Sequence, residues 1–285
     1  MYLTSAQIKG KINSLAKQKG SDPISLLRIY MMERFLERLS ISKYKDYCVI
    51  KGGILVTSMV GVSMRSTMDI DTTIKNFNLD KNFVEQIINE ISNIELDDEV
   101  KFSIKDVTDI MDNMEYPGIR VHMNASIEKM DIPIKIDLST GDEITPREIR
   151  YNYALLLEER SIPLWSYNLE TILAEKIQTV LARGILNTRM RDFYDITTLC
   201  DVYQDTINYD ILALAFDKTC IKRNTTSLKE ESNEIIQNIE LDNGLHNLWK
   251  QYQKKYKFAK EISFEQNIET LKLIIKKMQP ESAAV

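Results

Sequence analysis

The chain has 285 residues, 44% of them apolar and 28% charged, and a formal net charge of −5. That length allows one or two domains with ample material for a core, and the acidic balance excludes a global basic field for nucleic acid, so any RNA contact must come from a local patch. Three widely separated cysteines, Cys48, Cys200 and Cys220, argue against a disulfide framework or a thiolate zinc site and suit a reducing cytoplasm. The N-terminus has no apolar signal segment. The longest uncharged run, Gly52 to Met64, is too short to span a membrane, so no membrane partner is expected.

In chain order, residues 4–19 read as an amphipathic helix, and Ser21-Asp22-Pro23 starts a second one that runs to about Leu39. Tyr47 to Lys51 reads as a short buried strand and Gly53 to Val60 as a helix that Gly61 ends. Met68 to Ile74 reads as a strand. Asn78 to Asn93 is predicted helical, and Asp97-Asp98-Glu99 is predicted to be a solvated turn. Val100 to Ile110 and Gly118 to Ile127 read as strands joined by a Pro117-Gly118 turn. Ile132 to Ser139 alternates cleanly, with Lys135, Asp137 and Ser139 on its polar face, and Pro133 marks a strand beginning or an edge. Residues 151–166 hold a strand or strand pair closing the sheet. Asn168 caps the clearest helix of the chain, Leu169 to Arg183, which Gly184 ends. Everything from about Asn208 on is helical, and 279–285 reads as a disordered tail. The expected division is a helical region over 1–45, an α/β core over 46–167 and a helical domain over 168–278.

Function points to Lys51–Thr72, where a Gly52-Gly53 pair follows an apolar run and Asp69-Ile70-Asp71 comes near the end of the stretch. On a strand Asp69 and Asp71 share a face. Stacked carboxylates repel each other, and a hard divalent cation relieves that repulsion. A D-x-D pair alone would suit a solvated strand end; the ordered set of glycines, apolar run, Arg65 and D-x-D favours a site. Paired glycines let backbone approach a phosphate closely. Asp137 alone is an exposed Asp on a half-wet sheet, but it also offers a third carboxylate. Lys176 falls within the apolar arc of its helix, either snorkelling or reaching a phosphate. Asp192 and Asp195, at i and i+3, can orient a Lys or Arg of a neighbouring helix. With only His122 and His246 present, histidine chemistry has little material. Lys250 to Lys260, interleaved with Tyr252, Tyr256 and Phe258, form a basic-aromatic cluster that suits either a nucleic acid or simple solvation.

Gly52-Gly53, Asp69-x-Asp71 and the strand residue Asp137 resemble the core of DNA polymerase β-like nucleotidyltransferases. More narrowly, KGG with R-S-T-M-D-I-D, then KIDLSTGD, then LAEKIQTVLAR with RMRDFYDI, resembles the AbiEii/AbiGii toxin family over about residues 50–200. The resemblance implies an α+β fold, a mixed nucleotidyltransferase sheet flanked by helices with an all-helical C-terminal part. It implies Asp69, Asp71 and Asp137 as the metal and catalytic carboxylates. Gly52, Gly53, Arg65 and Lys176 are then expected at the nucleotide, and Asp192 as the acidic residue of the last motif. It further implies Mg2+ or Mn2+, an NTP substrate, transfer of NMP to an acceptor such as a tRNA 3′ end, and a separately encoded antitoxin in a toxin–antitoxin or phage abortive-infection system. The broader superfamily often carries Gly-Ser where this chain has Gly-Gly. Two other functions stay open: a nucleotidyltransferase acting on a small molecule or protein, and an NTP-binding regulatory protein without turnover.

Overall fold

A computed structural model describes residues 3–65, 67–77, 79–110 and 118–279. The chain divides into two compact units, 1–142 with 148–167, and 143–147 with the residues from 168 on.

The first unit begins with helices α1 (Ser5–Lys19) and α2 (Pro23–Ile41), followed by β1 (Cys48–Lys51), α3 (Gly52–Val60), β2 (Asp69–Ile74), α4 (Lys81–Ser92), β3 (Lys101–Ile110), β4 (Gly118–Ile127), β5 (Met130–Thr140), β6 (Ile149–Ala154) and β7 (Ser161–Ser166). The helix starts follow from their caps. Thr4 and Gln7 form a reciprocal capping box on α1, and Asp22 accepts from Ser25 N–H ahead of Pro23. Asp80 accepts from Phe83 N–H, so α4 begins at Lys81 rather than at Asn78, which lies outside the described residues, as does Pro117.

The seven strands form one mixed sheet in the order β3-β4-β5-β2-β1-β7-β6. β2 lies parallel to β5 and β1 parallel to β7, and the other pairings are antiparallel. One face is apolar: Val121, Met123 and Ala125 of β4 and Ile134, Ile136 and Leu138 of β5 are buried. Phe102, the cross-strand partner of Ala125, meets Phe35 of α2 edge-on at 5.8 Å, which puts that face under the helices. The alternate residues therefore make a second, polar face.

In this unit one expectation narrows, Pro133 lying at a local edge of β5 rather than at its beginning, and another is overturned. β5 starts at Met130, so Pro133 lies inside it; β2 runs alongside only from Lys135 on, so at Pro133 β5 has β4 as its sheet neighbour and the missing N–H breaks no ladder on the β2 side. Asp98, read as part of a solvated turn, is buried: both its oxygens accept from Arg38, at 2.6 and 2.7 Å. The acidic run supplied a buried counter-ion for α2 that sequence spacing alone does not reveal.

The second unit consists of α5 (Leu169–Arg183), α6 (Met190–Tyr203), α7 (Tyr209–Lys222), α8 (Leu228–Leu241), α9 (Asn243–Lys255) and α10 (Phe264–Met278). Asn168 caps α5 by accepting from Thr171 N–H, while its amide donates to the carbonyls of Thr145 and Arg147, tying segment 143–147 into this unit. The aromatic half of the basic-aromatic cluster packs on itself: Tyr252 to Tyr256 at 4.7 Å, Tyr256 to Phe258 at 5.3 Å, and Tyr194 to Phe258 at 4.9 Å. Those rings serve the packing of this unit, and the lysines between them are exposed. No helix among the described residues is long and apolar enough to cross a membrane.

Candidate active site

Register brings the predicted carboxylates together. Asp69 and Asp71 occupy alternate positions of β2, and Asp71 lies directly opposite Asp137 on the parallel neighbour β5. Adjacent strands stand about 4.8 Å apart and alternate residues about 6.7 Å along the strand, so three acidic side chains share one small area of the polar face. Cross-strand partners extend the row: Arg120 of β4 opposes Asp137, Lys51 of β1 opposes Asp71, and Lys135 of β5 opposes Asp69.

The Gly52-Gly53 turn joins β1 to α3 beside this row. Gly52 has φ +57°, and a Cβ there would overlap the carboxylate of Asp71, so only glycine fits. Gly53 N–H donates to Asp71 Oδ2 at 2.9 Å. A Cβ at Gly53 would overlap Thr67 Oγ1 and stand 3.2 Å from the Arg65 guanidinium. The Gly-Gly departure thus has a local cause: the Thr67 hydroxyl occupies the space that a side chain at position 53 would need. Arg65 is buried and donates to Gly53 O at 2.6 Å and Thr57 Oγ1 at 3.0 Å. It stands behind the turn and braces it.

Each carboxylate is engaged. Asp137 accepts from Arg120 through both oxygens, at 2.8 and 2.7 Å. Lys135 Nζ stands 3.0 Å from Asp69 Oδ1, yet that buried oxygen accepts no hydrogen bond; the pair is an ion pair by distance without hydrogen-bond alignment. Burial pushes the Asp71 carboxyl up from its ordinary range, the charges of Asp137 and Asp69 push the same way, and the Gly53 N–H and Lys51 oppose the shift.

Sequence reasoning missed Lys51, Ser139, Asp142 and Thr73. Lys51 Nζ reaches Asp142 Oδ2 at 2.6 Å and Ser139 Oγ at 2.8 Å; the hydroxyls of Thr73 and Ser139 also donate to that Asp142 oxygen. With the ammonium and two hydroxyls on it, Asp142 is held below the ordinary carboxylate range despite its burial. This clasp joins the end of β1 to the end of β5. Lys51 begins the KGG run and Asp142 ends KIDLSTGD, so the signal was present in motifs already singled out.

In the second unit, Lys176 of α5 lies between the two carboxylates of α6, with Nζ 3.0 Å from Asp192 Oδ1 and 2.7 Å from Asp195 Oδ2. Arg189 stands 2.7 Å from the other oxygen of Asp192. The i, i+3 pair does orient a lysine on a neighbouring helix, and Lys176 is paired rather than simply snorkelling.

As they stand, no three His, Cys, Asp or Glu side chains among the described residues are grouped to hold a metal ion. The donor set nonetheless fits a hard divalent cation: three carboxylates in register, an Asp71 carboxyl pushed up by burial and then by its acidic neighbours, and a buried Asp69 oxygen lacking a hydrogen bond.

Among solved structures the chain is similar to JHP933 from Helicobacter pylori, at 16% identity over 90% of this chain and 94% of that one, with a TM-score of 0.49. It is also similar to an antigenic nucleotidyltransferase-like protein from Paracoccidioides brasiliensis, at 15% identity over 82% of this chain and 94% of that one, with a TM-score of 0.36. No curated protein sequence matches it. The model of the nucleotidyl transferase AbiEii toxin family, type IV toxin–antitoxin system, matches residues 34–270, and the chain belongs to that family.

Proposed function

We propose that the protein transfers NMP from an NTP to an acceptor hydroxyl at the face formed by Asp69, Asp71 and Asp137. The supporting observation is the register of β2 and β5, which sets Asp71 against Asp137 with Asp69 on the same face. Those three residues would hold Mg2+ or Mn2+, which when bound supplies charge stabilisation at the triphosphate and acidifies the acceptor hydroxyl. Asp137, on the β4 side of the row and away from the glycine turn, accepts the proton of that hydroxyl as it attacks the α-phosphate. Pyrophosphate leaves. The Gly52-Gly53 turn fixes Asp71 through the Gly53 N–H, and Arg65 fixes the turn through the Gly53 carbonyl. For Lys176 and Asp192, their motif positions support a nucleotide contact through the lysine.

The acceptor proposed is the 3′ end of a tRNA, the setting is the cytoplasm in defence against phage, and the partner is a separately encoded antitoxin, in keeping with the type IV family. Incubating the purified protein with each labelled NTP, Mg2+ and total RNA tests this. Label entering RNA is expected from wild type and absent from Asp69→Ala and Asp71→Ala, which should also relieve the growth arrest caused by expression. Label entering protein or a small molecule, or no turnover despite NTP binding, would replace this function with one of the two others.

A further inference from the structure

Three ion pairs of the first unit lie in different surroundings. Arg38 and Asp98 are 3% and 6% exposed; breaking such a pair strands buried charge, so it locks α2 in place. Arg120 holds Asp137 through both oxygens and Lys135 stands 3.0 Å from Asp69, yet the two cations are 35% and 33% exposed and sit on the polar face. Solvent reaches these pairs and screens them more than it does Arg38–Asp98, so opening them strands less buried charge. They also lie on two of the three carboxylates that the proposed function assigns to a metal, each as a direct cross-strand neighbour.

We propose that Arg120 and Lys135 are resident counter-ions of the carboxylate face: they neutralise Asp137 and Asp69 in the metal-free protein and are displaced when a divalent cation arrives. The exchange rests on the metal role proposed above for these carboxylates. Without the two cations, three carboxylates in register would repel one another and strain the β2–β5 pairing. With them, the face is nearly balanced and the sheet stays intact without metal. Arg120 must then give way before Asp137 can serve as a ligand, because both Asp137 oxygens are on its guanidinium, and Lys135, 3.0 Å from Asp69 Oδ1, must draw back from that oxygen for a metal to take its place. Competition lowers the apparent metal affinity, and displacement leaves two cations on the face, beside the site where phosphate has to bind.

Mn2+ binding to the full chain, followed by electron paramagnetic resonance, measures the competition directly, and melts in EDTA and in saturating Mn2+ measure its effect on the fold. Arg120→Gln and Lys135→Gln should each bind Mn2+ about three- to tenfold more tightly than wild type. Arg28→Gln, which loses a cation whose Nε donates to Pro133 O rather than to a carboxylate, should bind as wild type does. The double variant should melt lower than wild type in EDTA and recover in Mn2+, while wild type shifts little, since a ligand raises Tm according to its affinity for the folded state. Wild-type or weaker Mn2+ affinity in both single variants would overturn the exchange while leaving the metal role standing. A wild type that binds no Mn2+, or an Asp71→Asn variant that binds it fully, would overturn the metal role and the exchange with it.

Discussion

Replacing Lys176 by Met tests how the second unit is held together. From sequence, Met replaces the stem of a snorkelling lysine at similar volume, and stability should hold. The structure argues otherwise. Lys176, Asp192 and Asp195 have side chains only 12%, 3% and 0% exposed, so their attraction is barely screened by solvent. Removing one partner of a buried pair costs about 3–5 kcal/mol, because charge stays behind in a poor solvent. Asp192 keeps Arg189 at 2.7 Å, so the loss belongs near the lower end, about 3 kcal/mol. At roughly 2–4 °C per kcal/mol for a chain of this size, the melting temperature should drop by about 6–12 °C. Differential scanning fluorimetry reads the drop. The double variant Lys176→Met with Asp195→Leu, which removes charge along with its counter-charge, should recover much of it. A single variant that melts within about 1 °C of wild type would refute the pairing as a stabilising element. NTP binding by the variant has to be measured well below its lowered melting point, or lost folding will pass for lost contact.

Glu33 of α2 is buried and accepts from Leu156 N–H, and burial pushes its carboxyl up to about 8. The folded state then holds a proton that the unfolded state releases at ordinary carboxylate pH, so wild-type stability should fall as pH rises from about 4.5 to about 8. Glu33→Gln should flatten that slope and be the more stable protein at alkaline pH; urea midpoints across the range check it, and an unchanged slope would exclude Glu33 as its source. Asp71→Asn should raise the melting temperature while abolishing transfer, since Asn still accepts from Gly53 N–H but carries no charge against Asp69 and Asp137; a lowered melting point would contradict the repulsion. Asp137→Asn should retain NTP binding and lose transfer, and wild-type turnover would remove Asp137 from the acceptor side. Gly53→Ala should cost activity together with stability, because its Cβ meets Thr67 and Arg65 beneath the turn; full activity would show that the turn can shift without moving Asp71.

Much of the fold was legible because local chemistry dictates it. Pro23 after Asp22 starts α2, Asn168 caps α5, and Gly184 ends α5, each within one residue of expectation. The alternation of Ile132, Ile134, Ile136 and Leu138 likewise gave the polar face of β5. Partners across long sequence distances were not legible. Asp98 finds Arg38 sixty residues away, and Lys51 finds Asp142 across ninety-one. No periodicity carries those pairings; they follow from strand order, which is a property of the whole sheet.

The site shows the same division. Period-two alternation says that Asp69 and Asp71 share a face, and separately that Lys135 and Asp137 do, but not that Asp71 opposes Asp137 or that Lys135 opposes Asp69. A one-residue slip of β5 against β2 would turn Asp137 toward the helices and bring Ile136 or Leu138 to the polar face. The buried aliphatic residues of β5 forbid that slip, since exposing Ile134, Ile136 and Leu138 would cost about 1.5–3 kcal/mol for each side chain. The carboxylates are therefore held in register against their own repulsion by the apolar face behind them. Arg120 and Lys135 arrive by the same register, as the residues that oppose them. The hydrophobic pattern of β4 and β5 thus fixes the charge pattern on the other face, and burial then decides which ion pairs lock and which can exchange.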